Sequence, residues 1–141
     1  MHVRSAIRQY VAGLMEGITP GKVYGRVHPE TPEAMPGISV SVGDESGSSA
    51  GAPNGCTSRA VRVTIASYLE GVDVDDALDT MRVLVEQVVF SDVRCGGVAL
   101  GIGYGGTKIV SSASGSVAFT RLEQQFVVVY RTKDGEPEYG I

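Results

Sequence analysis

The sequence predicts a small α/β (α+β) domain: a mixed β-sheet with two helices packed on one face, plus a long loop or β-hairpin extension. Three observations carry this. Residues 60–90 read as a strand, an acidic turn and an amphipathic helix. Residues 38–42 and 98–104 alternate at period two, the mark of half-buried strands. Residues 126–130, Phe-Val-Val-Val-Tyr, form the continuous apolar run of a strand well inside a sheet.

The first helix is expected over residues 3–15. Val3, Ile7, Tyr10, Val11 and Leu14 make its apolar stripe, Arg4, Arg8 and Gln9 its wet face, and Gly17 with Pro20-Gly21 ends it. Residues 23–27 are a short extended piece. Pro29, Pro32 and Pro36 then exclude a helix interior and make residues 28–36 a stiff connector. After the strand at 38–42, residues 43–58 have no periodic pattern. Loops of this length are usually functional or disordered. Asn54-Gly55 offers the alternative of a tight turn at the tip of a long hairpin.

In the strand over residues 61–69, Val61, Val63, Ile65 and Leu69 lie on one face, and Arg62, Thr64 and Tyr68 on the other. The second helix is expected to open at Asp73, with Asp75 and Asp76 near its first turn, where carboxylates meet unpaired N–H groups. Ala77, Leu78, Met81, Leu84, Val85 and Val88 form its stripe. A glycine-lined strand follows at 98–104, a turn at 111–115, and a long strand at 117–130. Residues 1–132 thus make one domain, with 133–141 a flexible tail.

The totals narrow the function classes. A chain of 141 residues buries roughly 70% of its unfolded surface as one domain. A net charge of -4 argues against nucleic-acid binding through bulk electrostatics. No apolar run approaches the roughly 20 residues of a membrane span, and the N-terminus does not read as a signal peptide. Cys56 and Cys95 have no partners at metal-ligand spacing and read as free thiols of a reducing compartment, although a disulfide between them is geometrically open.

No motif carries chemistry. Gly101, Gly103 and Gly106 match the dinucleotide fingerprint as a string, but the string overlaps a strand and no helix opens after it, so no cofactor is expected. Asp73, Asp75, Asp76 and Asp79 open a helix and lack the spacing of a calcium loop. His2 and His28 lie in a terminus and a proline connector, where no third group orients a base. No metal site and no catalytic residue is expected, and residue content argues against an enzyme.

The order of elements has its own meaning. A short helix leads into Val23-Tyr24-Gly25-Arg26, a proline connector and the strand after Met35-Pro36. A long polar loop, the Arg62-Val63-Thr64-Ile65 strand, an acidic turn, a helix and the Phe126–Thr132 strand follow. From Arg4 to Thr132 this order resembles the tail terminator proteins of long, non-contractile bacteriophage tails, the minor tail protein U family.

The resemblance implies a small α/β domain with helices on one side of a mixed sheet. It implies a structural virion protein, six copies of which close into a ring on the finished tail tube. That ring ends tube polymerisation and offers the surface for head–tail joining. The implied partners are further copies of the chain, the major tail tube protein and the head–tail connector or stopper. Genome DNA would pass through the ring without specific binding. The implied location is the head-proximal end of the tail, assembled in the bacterial cytoplasm. A closing heterologous ring needs two different patches on each subunit. The long loop and the proline connector are the candidates, which places Asp44, Glu45, Asn54, Arg59, Arg26 and His28 as candidate interaction residues. Asp44-Glu45 reads as a docking contact or a solvated turn, with the turn favoured. The alternatives are another neck component, such as the head-side stopper, or a small-ligand module built on the strand around Gly101.

Overall fold

A computed structural model describes residues 2–18, 23–24, 37–48, 54–71, 75–114 and 117–136. They form α1 (Val3–Glu16), β1 (Val23–Tyr24), β2 (Gly37–Ser48), β3 (Cys56–Glu70), α2 (Asp75–Val89), β4 (Gly101–Ser114) and β5 (Val117–Lys133). The fold is α+β. The sheet has the order β1-β2-β3-β5-β4 and is mixed: β1 runs parallel to β2, and every other pairing is antiparallel.

Core placement follows from strand pleat. β5 alternates, with Leu122, Gln124, Phe126, Val128 and Tyr130 turned inward. Register sets Val61 opposite Val128, Val63 opposite Phe126 and Ile65 opposite Gln124, so the odd positions of β3 share that face. Ile38 and Val40 of β2 join them, and both helices close over this one cluster. α1 packs over β1 and β2, and α2 over β3 and β5.

The opposite face has a smaller cluster of its own, in which Ala66, Tyr68 and Phe119 are buried. The Tyr68 and Phe119 rings stand 6.0 Å apart at a tilt.

Helix phase departs from expectation. α1 buries Val3, Ile7, Val11 and Met15, one residue per turn, and leaves Tyr10 and Leu14 on its shoulders. The Nδ1 of His2 accepts from Arg4 N at 3.2 Å and so caps α1, a role its terminal position does not advertise. α2 buries Leu78, Met81, Val85 and Val89. Ala77 and Leu84 of the expected stripe are exposed, and Val88 only borders the core. The expected start at Asp73 lies outside the described residues.

Strand limits depart further. The expected loop at 43–58 is largely strand, because β2 continues to Ser48 and β3 starts at Cys56, with Ser48 opposite Ser58. This is the hairpin alternative. Asn54 and Gly55 form a turn before β3, and Gly55 takes a positive φ of 81° that suits glycine. Residues 98–100 precede β4 rather than belonging to it, and the expected turn at 111–115 is strand as far as Ser114. Residues 131–133 extend β5. Beyond it, Asp134 N donates to Gly55 O at 2.8 Å and Thr57 Oγ1 donates to Asp134 Oδ1 at 2.6 Å. The start of the expected tail is therefore tied to the hairpin.

A bulge in β4 between Tyr104 and Gly106 keeps both halves of that strand in register with β5. A Cβ at Gly105 would stand 3.1 Å from the Gln125 carbonyl oxygen. Gly105→Ala is therefore expected to cost about 1–3 kcal/mol in urea unfolding. Gly103→Ala, where nothing lies within 4 Å, should stay near wild type in the same assay.

Candidate interaction surfaces

The sheet runs past its helical cover at one end. There β2, β3 and β5 continue as a three-stranded arm, with Glu45 opposite Val61, Arg59 opposite Tyr130 and Thr57 opposite Thr132. Beyond Val61, the described residues of the arm include no large aliphatic side chain to continue the core. Its inner face is polar instead, and a bulge makes this possible. Between Val42–Val63 and Glu45–Val61, β2 advances by one residue more than β3. The extra residue turns Glu45 inward and leaves Asp44 exposed.

Glu45 then meets its partners. Arg59 Nη1 donates to Glu45 Oε2 at 3.1 Å, and the Tyr130 hydroxyl donates to Glu45 Oε1. Arg59 Nε donates to Thr132 Oγ1 at 2.8 Å. Arg4 of α1 reaches the bulge, with Nη2 donating to Gly43 O at 2.8 Å. Burial pushes the Tyr130 hydroxyl well above its ordinary range, and the Glu45 carboxylate it bonds adds to this. The cluster clasps the hairpin to β5.

The six candidate residues therefore separate. Glu45 and Arg59 bond each other and stabilise the arm. Asp44 sits exposed at the bulge, and Asn54 is exposed at the turn before β3. Arg26 and His28 lie outside the described residues.

A second surface carries no signal in the sequence. β4 is an edge strand, and α2 stops short of covering it. Phe126 sits at the border, with the Phe90 ring edge-on to it at 5.8 Å and the Tyr104 ring at 6.1 Å. Phe90 and Tyr104 keep their outer sides open, and Tyr104 bonds Thr107 across the bulge through the two hydroxyls. Ile109 on β4 is 52% exposed and Val83 on α2 is 53% exposed. Asp79, Arg82, Val83 and Glu86 line a shallow hollow of about 200 Å³ on one flank of α2. α2 is anchored beside it by Gln124, whose Nε2 donates to Arg82 O at 3.2 Å.

The surface between α1 and β2, one strand in from the β1 edge, has another character. Arg4, Ser5 and Arg8 of α1 line a hollow of about 190 Å³ with Val42 of β2. The two surfaces thus differ in charge and in apolar exposure.

Chemical side chains elsewhere serve the fold. The Tyr10 hydroxyl donates to Asp92 Oδ2 at 2.7 Å, and Asp92 also accepts from Arg94 N and Gly96 N. The Tyr10 hydrogen bond, followed by the two backbone N–H groups, holds the Asp92 carboxyl below its usual range. Cys95 sits in the same turn, buried, with a positive φ of 48°. Cys56 and Cys95 are both free thiols. Burial, and then the Asp92 charge, pushes the Cys95 thiol up to about 11, the opposite of a reactive thiolate.

The folded protein holds the Cys95 proton more tightly than the unfolded chain does. Its contribution to stability is full below the ordinary thiol value of 9.0 and is lost as pH climbs through about 11. Tyr130, also raised, extends the loss to higher pH. Urea midpoints measured across pH 7–11 are expected to hold level to about pH 9 and then fall, less steeply in Cys95→Ala.

Among the described residues, no group of three or more His, Cys, Asp or Glu is placed to hold a metal ion. No helix among them is long and apolar enough to cross a membrane. The glycine string from Gly101 to Gly106 lies wholly within β4, whose strand continues to Ser114. No protein-family model matches the chain, and no curated protein matches it.

Proposed function

We propose that the chain is a structural assembly protein: a tail terminator that forms a ring, in the manner of six copies, at the end of a phage or phage-like tail tube. In this reading the ring stops addition of tube subunits and presents a surface to the head connector. One observation carries the proposal. The α+β architecture, with two helices on one face of a mixed sheet, is the architecture that the resemblance of residues 4–132 implies. A heterologous ring requires two different patches on each subunit, and the unlike α1–β2 and α2–β4 surfaces support the reading to that extent.

The test uses purified protein and polymerising tube subunits. Tubes should stop growing when the protein is added, with rings visible at their ends by electron microscopy. In the particle, loss of the gene should give overlong tails. Tubes that elongate unchanged, together with normal tails joined to heads in the knockout, would end the proposal. Cross-linking to the portal alone, with none to the tube, would move the assignment to the head-side stopper.

A further inference from the structure

Every exposed large apolar side chain among the described residues falls between Val83 and Ile109, on α2, the turn after it and β4. Apolar exposure gathered in one region marks an interaction surface. β4 is also an edge strand. It pairs with β5 alone, so its outer row of backbone N–H and C=O groups has no ladder partner among the described residues. Strand edges are commonly guarded by proline or by inward-pointing charge. β4 has no proline, and its one charged residue, Lys108, lies opposite Glu123 on the face away from the helices. The bulge between Tyr104 and Gly106 interrupts the edge once, and from Gly106 to Ser114 the register with β5 is continuous.

α2 supplies a wall along this edge. Arg82, Glu86 and Phe90 follow at steps of four and share a stripe with Asp79 and Val83. Phe90 meets Phe126, and Gln124 bonds the Arg82 carbonyl. Phe126 lies opposite Tyr104 and Gln124 opposite Thr107, so the stripe runs alongside β4. A strand added to β4 would turn alternate side chains toward it.

We infer that the outer edge of β4 takes up an extended segment of a second protein, one that sets apolar side chains against Tyr104 and Ile109 and lysine or arginine toward Asp79 and Glu86. Backbone pairing gives such a contact its affinity, and the alternate side chains give its selectivity. Asp79 and Glu86 make no ion pair among the described residues, so a cationic segment meets uncompensated charge. The same stripe argues against the β4 of another copy. Two β4 strands paired antiparallel about a two-fold axis would bring both acidic stripes to one face, like charge against like. The inference neither uses nor requires the ring reading.

Hydrogen exchange with a synthetic probe gives the test. The end-blocked peptide Lys-Thr-Val-Thr-Val-Thr-Lys, added to the full chain, should slow the outward amides of residues 106–111 roughly tenfold or more. The variant Ile109→Asp should bind the labelled peptide about tenfold more weakly by fluorescence anisotropy, with its urea midpoint in place. In the double variant Asp79→Lys with Glu86→Lys, preference should pass to the peptide Glu-Thr-Val-Thr-Val-Thr-Glu. Failure of the lysine peptide to protect β4 would overturn the inference. Equal binding of a fully N-methylated copy would overturn it too, because that copy cannot pair with an edge. Equal binding of the two peptides to wild type would remove the cationic partner. Protection of the β4 edge that rises with protein concentration alone would give the edge to a second copy instead. None of these results bears on whether tubes stop growing, so the two readings fail separately.

Discussion

Phe126→Ala is expected to lower the unfolding free energy by about 3–5 kcal/mol. Phe126 is 1% exposed and lies opposite Val63 of β3, with the Phe90 and Tyr104 rings edge-on to it. Truncation removes the buried ring and leaves a cavity that β5 cannot collapse into, because it is hydrogen-bonded on both sides. A domain of this size holds about 5–15 kcal/mol in all, so much of its stability would be lost. Urea unfolding should show a lower midpoint with an unchanged slope. Phe126 is the floor on which Phe90 and Tyr104 rest, and both would lose their fixed position at the α2–β4 margin. Phe126→Leu, which keeps most of the volume, should recover most of the stability.

Glu45→Ala is expected to cost about 2–3 kcal/mol, through the groups left behind rather than the group removed. Arg59 Nη1 and the Tyr130 hydroxyl both lose the Glu45 acceptor, and Tyr130 is 1% exposed. The Arg59 and Glu45 side chains are 22% and 18% exposed, so water reaches the ion pair and the loss stays below that of a fully buried one. Glu45→Gln keeps an acceptor for Tyr130 and should lose about half as much. The damage should be local. Hydrogen exchange at residues 45–48 and 56–59 should speed up, while Val63 and Ile65 remain protected. A double-mutant cycle with Arg59→Ala should give a coupling of roughly 1 kcal/mol. Uniformly faster exchange would show that the clasp belongs to the global unfolding unit and not to the arm.

These two residues also show what can be read from the chain alone. Phe126 sits in a run of β-branched and aromatic residues, and that run specifies a central strand. The alternation of residues 61–65 and the spacing of Val3, Ile7 and Val11 are equally legible, because burial against one face leaves a periodic mark. Glu45 leaves no such mark. Past the bulge, the inner face is filled by a carboxylate, a guanidinium and a phenol, so the backbone ladder continues while hydrophobic period vanishes. The extension of β2 to Ser48 is invisible for that reason. α2 misleads differently. Val83, Leu84 and Val85 are consecutive apolar residues, which allow more than one helical phase, and tertiary packing selects Leu78, Met81, Val85 and Val89. The exposure of Val83 and Ile109 is hidden too, since a pattern of residue types records apolarity and not whether a neighbour covers it. Of the expected interaction residues, Glu45 and Arg59 satisfy each other, a pairing that fourteen residues of separation do not announce.

The placement of β5 has a consequence for the birth of the protein. It is made after the other four strands, yet it lies inside the sheet, paired with β3 from Cys56 to Glu70 and with β4 from Gly101 to Ser114. Until it clears the ribosome, β3 and β4 have no shared partner, and the emerging polypeptide offers two unzipped ladders to anything nearby. Completion waits on synthesis as far as Lys133, so premature stops upstream of it should yield insoluble fragments rather than a smaller working subunit.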